Sequence, residues 1–268
     1  GCIICIDIVA LEVLVIANGA DNRQEILFQK VMDNFRIYGI DFSHIADILT
    51  AGKLFMAFMP TGVFERLHFL MGFEDMLMNF LLEPEDMMDL CNAIGEYRYQ
   101  YMKLIVDNLH PDVMLSHDDW GSKNQLFVSP ETWREFIKPQ YAKTYGYMKE
   151  KGVIIIHHGD SFMEPVVEDM VELGVDVWQG VLPQNDIPKL QKQLAGRMTL
   201  MGGIDASIVD RADSTEEEIR REVRRACEEY APGGHFIPCI TYGGPGCLFP
   251  HVDPIIDDEI DRYNRTEK

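Results

Sequence analysis

Basic residues are scarce in this chain. Across 268 residues, 24 Lys and Arg stand against 44 Asp and Glu, for a formal net charge of −20. Nucleic acid and anionic membranes bind through basic footprints, so no nucleic acid and no membrane partner is expected. A polyanionic substrate is disfavoured too, because no local basic pocket is visible in the sequence. Cysteine is sparse and scattered: Cys2, Cys5, Cys91, Cys227, Cys239 and Cys247 show no disulfide-framework spacing. Cys2 and Cys5 form a C-x-x-C, but no second pair with zinc-ribbon spacing follows it. A reducing, cytoplasmic setting is the resulting expectation. The first twenty residues are apolar, yet Asp7 and Glu12 interrupt them. They have neither the positive start of a signal peptide nor the length of a clean membrane span. There is no internal repeat, no low-complexity tract and no Pro/Gly/Ser linker, so residues 1–268 read as one domain.

What is present is alternation. Short apolar runs at 54–59, 113–115, 153–156, 175–178, 199–201 and 236–237 read as strands. Helical periodicity fills the gaps at 84–109, where Met87, Leu90, Ile94, Tyr97, Tyr101 and Leu104 recur, and at 129–149. Ser129 and Pro130 form a helix start, and Ser214-Thr215-Glu216-Glu217 is a capping box for a helix ending near Tyr230. Gly152, Gly174 and Gly196 sit where helices give way to strands. Short strands, apolar on both faces and separated by helices, predict a parallel α/β sheet covered on both sides. Six units are readable. A (β/α)8 TIM barrel is the natural closure if residues 2–8 and 12–17 supply two more strands. A doubly wound open sheet is the alternative, weakened because no Gly-rich phosphate loop follows any early strand.

Polar groups collect just past the predicted strand ends, where parallel α/β folds place their chemistry. His117, Asp118, Asp119 and Trp120 follow the second run. His157, His158, Asp160 and Ser161 follow the third, with Glu164 one helical turn further. Asp205 follows Gly202-Gly203, Cys239 and Tyr242 follow the last run, and Met59 closes the first. The opposite ends carry mostly Gly, Lys and Pro. His158, Asp160 and Cys239 form a candidate zinc set, because zinc accepts N, O and S donors and catalytic sites keep one position open. Glu164 competes as the oxygen ligand, and His157 is the neighbour that competes with His158. The plainer alternatives are a hydrogen-bonded core histidine, a buried free cysteine and aspartates that cap loop amides. Asp118, Asp119 and Tyr242 are the candidate catalytic groups. His117, Trp120, Met59, His157 and Asp205 are the candidate substrate contacts.

His-Asp-Asp-Trp-Gly at 117–121, Ser-Pro-Glu-x-Trp-Arg-Glu-Phe-Ile-Lys-Pro at 129–139, Gly202-Gly203-Ile204-Asp205 and Pro232-Gly233-Gly234 resemble the uroporphyrinogen decarboxylase superfamily. The resemblance runs from about residue 54 to residue 242 and implies a (β/α)8 barrel with its site at the C-terminal strand ends. It offers two branches, porphyrinogen decarboxylases and zinc-dependent methyltransferases that work with corrinoid proteins. The Arg-rich segment with which the decarboxylases grip their substrate is not visible here. The methyltransferase branch carries zinc on His-x-Cys plus a distant Cys. His158 stands at that His, Asp160 at the first Cys and Cys239 near the second. An oxygen donor in place of sulfur suits an oxygen-containing substrate, and 178–186 resembles enzymes that demethylate methoxy-aromatic compounds. The resemblance thus implies Zn2+, a small-molecule methyl donor and a corrinoid (cobalamin) protein as methyl acceptor. A decarboxylase, or a non-catalytic member of the fold, is the other reading.

Overall fold

The computed structural model describes residues 4–6, 54–240 and 248–266. The predicted strand at 12–17 and the candidate residue Tyr242 lie outside the described residues. Among those residues the sheet has seven strands, all parallel and in sequence order: β1 (Ile4–Ile6), β2 (Phe55–Met59), β3 (Val113–His117), β4 (Ile154–His158), β5 (Val177–Val181), β6 (Thr199–Gly203) and β7 (Phe236–Cys239). A doubly wound sheet reverses strand order at a switch point. This one never does, so it is the wall of a (β/α)8 barrel.

The strands run past their apolar stretches, so that His117, His157, His158, Gln179 and Cys239 belong to the ladder rather than to loops. Register then decides which way each one faces. Ser116 pairs with His157, which pairs with Trp178, and this rung is fully buried. One residue on, His117 pairs with His158, which pairs with Gln179, and these point the other way because strand side chains alternate.

The helical layer is α1 (Val63–Met71), α2 (Phe73–Leu82), α3 (Pro84–Leu109), α4, α5 (Val167–Glu172), α6 (Ile187–Leu194), α7 (Ala206–Val209), α8 (Glu216–Tyr230) and α9 (Val252–Thr266). Continuous α4 comprises Pro130–Thr132, a π-helical turn over Trp133–Ile137, and Lys138–Glu150. Pro139 explains the turn. It has no N–H to return to the carbonyl four residues back, and the Lys138 amide bonds instead to Trp133 O, five back. The wider turn seats Trp133, Phe136 and Ile137 in the core. Helix α8 starts one residue later than its sequence implies: Thr215 and Glu218 form the capping box. Ser214 is drawn away, its hydroxyl donating to Val209 O at 2.8 Å. Among the described residues no helix is long and apolar enough to cross a membrane.

Candidate metal centre at the strand ends

The site begins with a helix N-terminus that cannot cap itself. Gly62, before α1, has no side chain to accept from the first amides of the helix. Asp118 supplies the missing acceptor from β3: Phe64 N donates to Oδ2 at 3.0 Å and Glu65 N to Oδ1 at 2.9 Å. Trp120 Nε1 and Tyr141 Oη also donate to Oδ2, at 2.8 and 2.7 Å. Burial pushes this fully enclosed carboxyl upward, and the nearby Glu65 charge adds to that. The space is closed around it. A methyl group on Gly62 would stand 1.9 Å from Asp118 Cγ, so only glycine fits there. Buried Arg98 fastens the turn from the other side, donating to Pro60 O at 2.9 Å and to Thr61 O, where Thr61 holds a left-handed φ of 51°.

That turn delivers Glu65 to the mouth of the barrel. Its Oε2 accepts from Gly62 N at 3.3 Å and lies 2.8 Å from His117 Nδ1. Burial pulls the His117 imidazole down, but the Glu65 hydrogen bond and charge leave it above its ordinary value. Burial pushes Glu65 up, and its His117 partner brings it below the usual carboxylate range. The His117 and His158 rings stack with centroids 4.5 Å apart and 11° between planes. His158 Nδ1 is held by Gln179 Oε1, and Gln179 also reaches the Cys239 thiol. With both Nδ1 atoms engaged, Nε2 is the nitrogen each ring has left to offer a metal. Burial, and then the neighbouring His117, keep His158 below its ordinary value and so neutral, the form that ligates.

Two carboxyls crowd the same spot. Asp119 Oδ1 accepts from the Asp160 amide at 2.9 Å, and the two side chains are hydrogen-bonded to each other. Burial raises both, Asp119 to about 6 and Asp160 to about 6. Among the described residues, one donor from each of His117, Asp119 and His158 lies within 4.8 Å of the others. Crowded buried carboxylates beside a neutral imidazole form a pocket that a cation relieves, and an N/N/O donor set fits Zn2+.

The other sequence candidates fall in different places. Asp160 adjoins the cluster. Cys239 stands at its edge behind Gln179, its thiol pushed up to about 12 by burial, and it is not among the three converging donors. Glu164 is turned away, paired with Lys189 and accepting from Asp186 N at 3.3 Å. Asp205 caps α7 by accepting from Ser207 N at 2.9 Å. Of the residues that the sequence assigns to the pocket lining, Met59, Trp120 and His157 are instead fully buried in the layer between sheet and helices. His157 Nδ1 lies 2.7 Å from Tyr145 Oη, and Trp120 packs on Trp133 and His157. Strand alternation is the reason: His157 and Met59 face the helices. Glu65 is a site residue that the sequence does not single out, and Gln179, at a predicted strand end, gains its role only from the fold. The signal for Glu65 was its place three residues after Gly62, the spacing of a capping box.

The family model described as uroporphyrinogen decarboxylase (URO-D) matches residues 55–245. The chain belongs to the uroporphyrinogen decarboxylase family. Within that family, the uroporphyrinogen decarboxylases of two Thermus thermophilus strains are each 27% identical to it over 170 residues, 63% of this chain and 44% of theirs. The chain thus spans less than half the length of the curated relatives it matches. Among solved structures, a methyltransferase from Methanosarcina mazei superposes with a TM-score of 0.61 at 16% identity, covering 81% of this chain and 60% of that one. That likeness bears on the fold, and it agrees with the barrel.

Proposed function

We propose that this family member is a metal-dependent methyltransferase that moves a methyl group from a small methoxylated aromatic to a cob(I)alamin corrinoid protein. The observation that carries the reading is the convergence of His117, Asp119 and His158, each imidazole anchored through Nδ1. These three residues would hold Zn2+, with Asp160, hydrogen-bonded to Asp119, as a further oxygen donor beside them. Bound there, the ion supplies a Lewis acid for the ether oxygen, whose departure as phenolate is the difficult part of the reaction. Cob(I)alamin brings the electron pair: the carbon–oxygen bond breaks, a cobalt–carbon bond forms, and the phenolate takes up a proton. The protein therefore supplies no nucleophile. Its residues hold the donor set, keep water from the buried face and place a proton source, the Asp160 carboxyl hydrogen-bonded to Asp119, beside the leaving oxygen.

The curated relatives are decarboxylases by name, which makes decarboxylation the competing reading. Charge weighs against it. Residues 60–62, 117–121, 157–161, 179–186, 202–205 and 239–240, at or just past the C-terminal ends of the strands, contain no Lys or Arg. Arg98 is committed to the carbonyls of Pro60 and Thr61. Among the described residues at those strand ends, a carboxylate-rich substrate would meet Glu65, Asp119 and Asp160 rather than a Lys or Arg. Metal analysis of protein purified without chelator tests the reading. About one zinc per chain is expected, lost in both His117→Ala and His158→Ala; zinc-free protein that turns over uroporphyrinogen would refute it.

A further inference from the structure

We infer that the outer face of α1 and α2 is the docking surface for the protein that carries the methyl acceptor. This rests on the methyltransferase reading and adds to it where the acceptor sits and what its surface is made of. Phe69, Leu70, Phe73, Met78, Leu81 and Leu82 are exposed there, Leu81 to 79% and Phe69 to 68%. On α2 the exposed Met78, Leu81 and Leu82 lie opposite the buried Met76 and Phe80, so the face is a second apolar stripe on a helix that already has one in the core. Soluble monomers seldom leave an apolar patch of this kind open unless something binds it.

Two features name the occupant. The first is position. The patch is joined to the site by a file of rings: Phe64, whose amide Asp118 caps, stacks on Phe127 at 5.8 Å, Phe127 meets Phe73 at 4.9 Å, and His68 touches Phe73 and Phe69 at 5.9 and 4.4 Å. Helix α1 carries Glu65 near one end and the first patch residues, Phe69 and Leu70, near the other, about 7 Å along the axis. A protein seated here stands beside the mouth through which its cofactor must enter. The second is charge. Glu74, Asp75, Glu83, Glu85 and Asp86 rim the patch, all exposed, and no Lys or Arg occurs between Phe69 and Asp89. A second copy of this chain packed face to face would set that acidic rim against itself, which disfavours a symmetric dimer. The complement is a different protein with an apolar centre and a Lys/Arg rim.

The test uses the triple variant Phe69→Ser/Leu81→Ser/Leu82→Ser and the double variant Glu74→Lys/Asp75→Lys, with two acceptors: free cob(I)alamin and a purified corrinoid carrier protein. Carrier binding is measured separately, with hydroxocobalamin loaded so that no turnover occurs. Both variants should methylate free cob(I)alamin at the parent rate and bind and methylate the carrier at least tenfold less well. Parent affinity for the carrier should fall steeply with salt. Unchanged carrier binding in both variants overturns the inference. So does a parent protein that sediments as a dimer and becomes monomeric in the triple variant, which assigns the face to a second copy, and so does solvent protection of the patch in the isolated monomer. If the parent methylates no cobalamin at all, the methyltransferase reading fails. The turnover-free binding measurement still decides the docking surface, and absence of binding rejects it.

Discussion

At the scale of single residues, the cluster at the end of β3 divides its labour between neighbours. Asp118 is spent on structure, accepting from two α1 amides, Trp120 and Tyr141. Asp118→Ala strands those buried donors and should cost about 3–5 kcal/mol in urea unfolding, in the range for uncompensated buried polar networks. Gly62→Ala forces a methyl onto the Asp118 carboxyl and should cost about 1–3 kcal/mol by overpacking. A Gly62→Ala protein as stable as the parent would mean that the Asp118 cap is not packed as described. Asp119, one residue on, converges with His117 and His158 as the third donor of the candidate metal site. Glu65 acts through His117: removing a carboxylate that orients a metal-bound histidine usually weakens metal affinity about 10–100-fold. Glu65→Ala should show that loss by calorimetric zinc titration, and an unaltered affinity would remove Glu65 from the site.

At the scale of elements, the strands and the longer helices were legible because their periods of about 2 and 3.6 are written in the apolar residues. Facing was not. Apolar runs end before the strands do, and in a strand an offset of one residue exchanges the barrel side for the helix side. That is why His157, expected in the pocket, belongs to the core with Tyr145 while His158 stays in the site; Trp120, beyond β3, is held inward by its Nε1 bond to Asp118 and its packing on Trp133. The partnership of His117 with His158 depends on β3–β4 register, which no spacing in a single sequence reveals. Glu65 was missed because α1 itself was not foreseen between two apolar stretches. Helix α4 is tied to α5 by Arg134 and Lys138, both paired with Asp169. Burial pushes Asp169 up, but its Arg134 and Lys138 hydrogen bonds win and hold it below its ordinary value of 3.8. A carboxyl depressed in the fold contributes stability above its unfolded value and loses it as pH falls through the folded one. Arg134 is partly exposed and screened, so Asp169→Asn should cost about 1 kcal/mol near pH 7. The gap to the parent should shrink below about pH 4 in denaturant titrations, and a gap that grows on acidification would reverse the sign of this linkage.

At the scale of the whole molecule, acidity and barrel topology act together. The topology brings the ends of β3, β4, β5 and β7 to one mouth, where the described residues include Glu65, Asp119 and Asp160, in a chain whose net charge is −20. What the mouth brings together is the donor set of His117, Asp119 and His158, on which the proposed function rests. Methyl transfer at that set is the central claim, and the appearance of methylcobalamin tests it most directly. Zinc-loaded protein mixed with cob(I)alamin and a panel of methoxylated aromatics should convert the cob(I)alamin absorbance to that of methylcobalamin with at least one donor, and His158→Ala should abolish the conversion. No methylcobalamin with any donor, together with release of carbon dioxide from uroporphyrinogen by the same preparation, would contradict it.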